Sequence, residues 1–255
     1  MTVALETGRP APRVIAVIQA RMGSSRLPGK VLSDIEGRPL LAWAVAAFRA
    51  VPSIEDVVVA TTVDPADDEL AAVAAEYGPV FRGDPADVLS RLAAAAAPLH
   101  PDFVVRGTAD NPFPDPDVIA AQVALCAEGG CDYVGGAGYP LGIAAEAMAM
   151  GALQAADREA LEAAEREHVT PFIYRRPGRF RLCSLPPATS DMPVGRGRYT
   201  VDTADDLIFV RELAARFRHA PPVRMPELEA ILAAEPGLVE INARVRQRSW
   251  NEVEA

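Results

Sequence analysis

The chain predicts an α/β fold with a mainly parallel central sheet, and three observations carry that prediction. Apolar, β-branched runs recur as VIAVI (14–18), DVVVATT (56–62) and DFVVR (102–106). Between them lie amphipathic stretches of about a dozen residues, the length of a crossover helix. Each run then ends in a loop rich in polar or charged residues. Strand, crossover helix, strand is the unit from which a parallel sheet is built.

The order is regular as far as residue 134. Strand Val14–Ile18 leads into a loop and then a helix over Pro39–Ala50, with Leu41, Ala44, Val45 and Phe48 on one face. Pro52 and Ser53 end that helix. Strand Asp56–Thr62 is followed by a helix over Pro65–Tyr77. A short strand at Val80-Phe81 leads to Arg82, Gly83 and Asp84, and Pro85–Ala97 reads as helix. Strand Asp102–Arg106, helix Pro116–Ala127 and strand Asp132–Val134 complete the series. Beyond Gly135 the rhythm breaks. Residues 135–198 read as an inserted region: a Gly-rich turn, a helix around Arg158–Tyr174, a strand near Phe180–Ser184 and a Pro/Ser/Gly-rich loop. Tyr199–Asp202 then returns as strand, Thr203 caps a helix to Phe217, and Pro226–Ala234 is helical. Residues 1–12, with Pro10 and Pro12, read as a flexible leader to a single domain over 13–255.

Composition narrows the function. The net charge of −10 excludes general nucleic-acid binding. No stretch of about 18 apolar residues and no export signal stands in the sequence, so neither membrane insertion nor secretion is expected, and the expected location is cytoplasmic. Cys126, Cys131 and Cys183 have no CxxC spacing and read as free thiols of a reducing compartment.

The loop after the first strand is the most informative stretch. Within a dozen residues it carries Arg21, Gly23, Ser24, Ser25, Arg26, Pro28, Gly29 and Lys30. Glycines admit close backbone approach and fixed cations cover oxygens, the combination a polyphosphate needs. Lys30 is the only lysine among 25 Lys and Arg residues. That isolation points to a position wanting a compact, flexible ammonium rather than a planar fork. Two aspartates sit at the ends of other predicted strands: Asp110, in Thr108-Ala109-Asp110-Asn111-Pro112, and Asp202, closing RYTVD. Ligands of open α/β sheets bind at the carboxyl ends of the strands. Two carboxylates facing a phosphate loop make a Mg²⁺ site, although a strand-end aspartate taken alone is as readily a helix cap.

The segment IQARMGSSRLPGKVL resembles the opening motif of the cytidylyltransferases that make CMP-activated sugars, most closely the spore-coat polysaccharide biosynthesis protein F group. The resemblance continues in order through VVVATT, FRGDPADVLSRL, RGTADNP, YPLGIAAEA, REHVTPFIY, YTVDTADDL and INARVRQR, from about residue 14 to 248. It implies a glycosyltransferase-A-like (Rossmann-like) nucleotidyltransferase fold, with 135–198 serving acceptor binding and dimerisation. It implies that Gln19, Ala20, Arg21, Met22, Gly23, Ser24, Ser25, Arg26 and Lys30 hold the nucleotide, with Arg21, Arg26 and Lys30 acting catalytically on the departing pyrophosphate. Asp110 and Asp202 correspond to the metal-binding aspartates. Thr61, Thr62, Arg82, Asp87 and Arg91 would wall the base and ribose. The acceptor would meet Gly142, Glu146 and His168, with Arg196 and Arg198 clamping an anion.

The implied reaction is Mg²⁺-dependent transfer of CMP from CTP to an acidic sugar or phosphonate-like acceptor by a homodimer. A sugar-1-phosphate nucleotidyltransferase using another NTP and a non-catalytic nucleotide-binding module are the alternatives; a glycosyltransferase is disfavoured, because a triphosphate loop has no role there and no DxD triplet stands at the Asp110 loop. A dehydrogenase would require GxGxxG after the first strand, which residues 20–30 do not supply. Phosphoryl chemistry needs positioning and charge rather than a nucleophilic triad, and His100, His168 and His219 are scattered. Two positions depart from the family pattern. Ala109 replaces a glycine, which matters if the backbone there needs positive φ. Ala144 replaces an aspartate near the acceptor.

Overall fold

The computed structural model describes residues 11–186 and 198–247. In chain order the elements are β1 (Val14–Gln19), β2 (Asp34–Ile35), β3 (Arg38–Pro39), α1 (Leu40–Arg49), β4 (Asp56–Thr62), α2 (Asp68–Ala75), β5 (Val80–Gly83), α3 (Val88–Ala96), β6 (Phe103–Thr108), α4 (Pro116–Ala127), β7 (Tyr133–Gly135), β8 (Glu146–Ala149), α5 (Met150–Glu159), α6 (Ala163–His168), α7 (Pro171–Tyr174), β9 (Leu182–Ser184), α8 (Ala204–Ala214) and α9 (Met225–Ala234). Seven strands form one sheet in the order β5-β4-β1-β6-β8-β7-β9. β5, β4, β1 and β6 are parallel; β8 runs antiparallel to both β6 and β7, and β9 is parallel to β7.

β1 is central because both its faces are apolar. Val14, Ala16 and Ile18 face a core with Leu41, Val45 and Phe48 of α1, Phe113 and Phe209 of α8. Ile15 and Val17 face a second core with Leu89 and Leu92 of α3, Met148, Leu153 of α5, Phe172 and Ile173. A strand buried on both sides reads as a continuous hydrophobic run, as VIAVI does. Its register brings Gln19 beside Ala60 of β4 and Thr108 of β6. The loops following these three strands therefore emerge at one edge.

Several expectations need correction. The predicted strand Tyr199–Asp202 is not one: Arg198 makes a single bridge to Leu141, and irregular backbone follows. Tyr199 N–H bonds Leu141 O and Val201 N–H bonds Asp110 O, so neighbouring loops, not a ladder, hold the segment. The helix expected around Arg158–Tyr174 is divided among α5, α6 and α7. Ala160 is extended (φ −69°, ψ 123°), and Val169 takes φ 71° just before Pro171 starts the last turn. Strand β8 was not expected; its EAMA sequence has low β propensity, and its place comes from pairing on both sides. The expected helix start at Pro85 moves to Val88, with Asp87 as cap. The predicted helix from Pro65 begins instead as a 3₁₀ turn over Pro65–Asp67.

The cysteines are also corrected. Cys131 and Cys183 form a disulfide, and only Cys126 is a free, buried thiol. Parallel pairing of β7 with β9 brings residues 52 apart in sequence together, a proximity no local spacing announces. Among the described residues no helix is long and apolar enough to cross a membrane.

Candidate active site

The site is assembled at the carboxyl ends of β1, β4 and β6. Residues 21–29 leave β1 as an irregular loop and close with a 3₁₀ turn over Lys30–Leu32. Gly29, at φ 72°, turns the chain so that its N–H bonds Met22 O. A side chain there would be strained in the left-handed region. The loop is anchored from outside by Asp67, a buried residue after β4. Its Oδ1 accepts Met22 N–H at 2.7 Å and its Oδ2 accepts the Thr62 hydroxyl. Ser24 Oγ accepts Leu27 N–H within the turn.

This turn carries Lys30 inward. Its Nζ lies 2.7 Å from Asp110 Oδ2 and 3.0 Å from Asp202 Oδ1, so the three most suggestive residues of the sequence meet at one point. Arg26 Nη2 reaches Asp202 Oδ2 at 3.2 Å, and Arg198 Nη2 donates to the same oxygen at 2.7 Å. Burial works against the ammonium, but Asp110 and then Asp202 outweigh it and raise the Lys30 pKa. Burial likewise opposes the Asp202 carboxylate, and Lys30, Arg26 and Arg198 overcome it and lower its pKa.

Behind Asp202 stands Asp206, which has no solvent exposure. It accepts Arg198 Nε at 2.9 Å, Asn242 Nδ2 at 3.0 Å and the backbone N–H groups of Asp202 and Thr203. Thr203 and Asp206 form a capping box at the start of α8. Arg198 is thus buried and bonded to Asp202, Asp206 and Gln247. Arg196 lies outside the described residues.

A second polar network lies on the α3/α6 side of the sheet. Arg106, on β6, donates through Nε to Gln19 Oε1 at 2.9 Å and through Nη1 to Glu146. Glu146 also accepts the hydroxyls of Tyr133 and Thr170. Gln19 therefore turns its side chain to this network, while its carbonyl accepts Ala109 N–H beside Asp110. His168, at the end of α6, is half-buried; burial, helped by Arg106 and Arg21, lowers its pKa despite Glu167. Arg21 is exposed and reaches Glu167 at 3.8 Å.

The other expected wall residues are mostly tied to the protein. Arg82 bonds Thr62 O, Asp64 O and Asp68. Asp87 caps α3 and pairs with Arg166. Arg91 is buried with one nitrogen on Asp84 O, and its Nε has no hydrogen-bond partner among the described residues. Ala20 is buried and donates to Ala60 O, and the Thr61 hydroxyl is buried without a partner there. Gly23 has open space around it. Gly142, at φ 94°, lies so close to Tyr199 that an added Cβ would stand 2.4 Å from its carbonyl oxygen. Its small size is therefore explained by packing. Ala109 does not take positive φ, so the missing glycine leaves the loop unstrained.

The residues fit a Mg²⁺ ion. The donors are hard carboxylate oxygens, and one cation, the Lys30 ammonium, already reaches both. Among the described residues no cluster of three or more His, Cys, Asp or Glu forms a complete cage. Two carboxylates are what Mg²⁺ commonly takes from protein when phosphates and water complete its shell.

Sequence reasoning missed Asp67, Arg106, Tyr133, Thr170, Asp206 and Asn242. Two had a signal. Asp206 stands three residues after Thr203, the capping-box spacing, and Arg106 is a lone charge inside an apolar strand.

The strand-end loop and the two converging aspartates stand on a mainly parallel seven-stranded sheet. The cytidylyltransferase family profile matches residues 15–228. The chain belongs to the cytidylyltransferase family. Spore coat polysaccharide biosynthesis protein SpsF of Bacillus subtilis is 33% identical over 229 residues, covering 88% of this chain and 95% of its own. Among solved structures, a cytidylyltransferase from Leptospira borgpetersenii superposes with TM-score 0.83 at 25% identity, covering 93% of this chain and 99% of that one. A CMP:2-keto-3-deoxy-manno-octonic acid synthetase complexed with CTP superposes with TM-score 0.61 at 19% identity, covering 80% and 99%. As a cytidylyltransferase-family member the protein is a nucleotidyltransferase, and its fold agrees with both neighbours.

Proposed function

We propose that this cytidylyltransferase-family protein transfers CMP from CTP to an acidic sugar or phosphonate-like acceptor, releasing pyrophosphate. The observation that carries the reading is the convergence of Lys30, Asp110 and Asp202 beside a loop holding Arg21 and Arg26. An acceptor oxygen attacks the α-phosphorus, the bond to the bridging oxygen of pyrophosphate breaks, and the acceptor proton passes to solvent. Negative charge grows on the leaving pyrophosphate. Arg21, Arg26 and Lys30 stabilise it, and no nucleophilic side chain is required. Asp110 and Asp202 would hold Mg²⁺, which supplies further charge neutralisation on the phosphate oxygens. CTP as donor is supported by the relative whose structure contains it. Thr61, Thr62 and Arg91 have unsatisfied or strand-end polar groups suited to the nucleoside.

The acceptor falls to the network of Arg106, Glu146 and His168. Arg106 is held by Gln19 and by an ion pair with Glu146, so an acidic acceptor would have to compete with Glu146 for its guanidinium. The inserted region over 135–198, of which 187–197 lie outside the described residues, is assigned to contact between two copies; a solution mass near the 27.1 kDa of one chain would remove that assignment.

The test is pyrophosphate release measured across the four NTPs, with and without Mg²⁺, against a panel of acidic sugars and phosphonates. Release that requires CTP, metal and acceptor together is expected. Release with a different NTP and a sugar 1-phosphate would replace this reading, and nucleotide binding without turnover for every acceptor would end it. Lys30→Ala and Asp110→Asn are each expected to lower turnover by about 10²-fold or more with unchanged circular dichroism. Near-normal activity in either would show the site to be misassigned.

A further inference from the structure

The fixed charges at the metal-facing aspartates balance without any metal. Three carboxylates, Asp110, Asp202 and Asp206, meet three cations, Lys30, Arg26 and Arg198, all linked in one chain of ion pairs. Each oxygen of Asp202 already has a cation: Oδ1 has Lys30, and Oδ2 has Arg26 and Arg198. Lys30 is the one member touching both metal-facing carboxylates. Its side chain is 9% exposed, against 26% for Asp110.

A bare divalent cation that takes Asp110 Oδ2 and Asp202 Oδ1 must compete with that ammonium for them. It would also leave two positive charges uncompensated beside Lys30, Arg26 and Arg198, in a partly buried group where their repulsion is screened less than in water. A triphosphate changes the sum. It brings negative charge enough for the metal and for a displaced ammonium, and the compact ammonium of Lys30 on its flexible four-carbon stem can move to phosphate oxygens. The sole lysine of the chain stands at this point.

We propose that Lys30 is the resident counter-ion of the aspartate pair, so that the free protein excludes divalent metal and admits it only as a metal–nucleoside triphosphate complex, Lys30 transferring from the carboxylates to the triphosphate. The inference rests on the nucleotide reading above and deepens it by naming the form of the substrate.

The experiment is a titration of the full chain with Mn²⁺, following the paramagnetic resonance signal of the free ion, so that no turnover is involved. Without nucleotide, Lys30→Met and Lys30→Gln are expected to bind Mn²⁺ at least about tenfold more tightly than wild type. Lys30→Arg, which keeps the charge, is expected to match wild type. With CTP added, wild type takes up Mn²⁺ beyond what CTP alone binds. Circular dichroism checks that each variant is folded, and the Met and Gln variants stand in for one another. Equal Mn²⁺ affinity of wild type and both neutral variants without nucleotide overturns the proposal, as does tight binding by Lys30→Arg. Failure of wild type to bind CTP with Mn²⁺ overturns the nucleotide reading instead, and is read from a separate arm.

Discussion

The guanidinium of Arg198 rests on the fully buried carboxylate of Asp206, with Nε 2.9 Å from Oδ1 and Nη2 extended to Asp202. Asp202 is therefore held in place, through Arg198, by an aspartate that never meets solvent. Asn242, near the end of the described chain, joins through Asp206 and the Arg198 carbonyl. Asp206→Asn is expected to remove one of the two carboxylates that Arg198 pairs with and to weaken the α8 cap. The expected loss is about 3–5 kcal/mol of stability, read from urea unfolding. Asn242→Ala removes two hydrogen bonds at the same place and should cost about 1–3 kcal/mol. A loss for Asp206→Asn below that for Asn242→Ala would contradict this order.

Asp67 holds the loop after β1 against β4. Asp67→Ala leaves Met22 N–H and the Thr62 hydroxyl without their acceptor. A cost of about 1–3 kcal/mol in stability is expected, together with weaker CTP binding by calorimetry. Unchanged CTP affinity would mean that the loop keeps its shape without this anchor.

Gly142 sits against Tyr199, three residues before Asp202. Gly142→Ala combines a positive-φ strain with a backbone clash, so segment 199–202 must shift. The variant should lose at least about 1 kcal/mol of stability and most of its pyrophosphate release. An acceptor role for Gly142 alone would instead raise the acceptor KM and leave stability untouched, which unfolding and kinetics together distinguish.

His168 has a depressed pKa in the folded protein, chiefly from burial. The unfolded chain takes up the proton first as pH falls. The stability contribution is therefore full above the ordinary histidine value, about 6.5, and is lost as pH falls through the lower folded value. His168→Gln should flatten the fall of the urea midpoint between pH 7 and pH 5. An unchanged slope would assign that fall to other groups.

The fold was legible as far as local pattern carries it. The doubly buried β1, the crossover helices and the α4 limits follow from hydrophobic runs, prolines and caps. Strand β8 was not legible, because alanine and methionine have no strand signature and only neighbours on both sides make EAMA a strand. The division of residues 150–174 into three helices turns on the extended Ala160 and on Val169 at positive φ, which local periodicity does not mark. The disulfide joins two strands whose proximity is decided by sheet order.

By itself, the sequence determined that a cationic, glycine-bearing loop follows the first strand and that Asp110 and Asp202 end later segments. Those are properties of neighbouring residues. Only the tertiary structure decided that Lys30, 80 residues from Asp110 and 172 from Asp202, binds both. It also turned Arg198 inward and placed Gln19 with Arg106. The physical reason is that an ion pair depends on distance in space, and parallel strands bring their distant ends to one edge. Of the loop's three cations, Lys30 and Arg26 join Arg198 around Asp110, Asp202 and Asp206, while Arg21 pairs with Glu167.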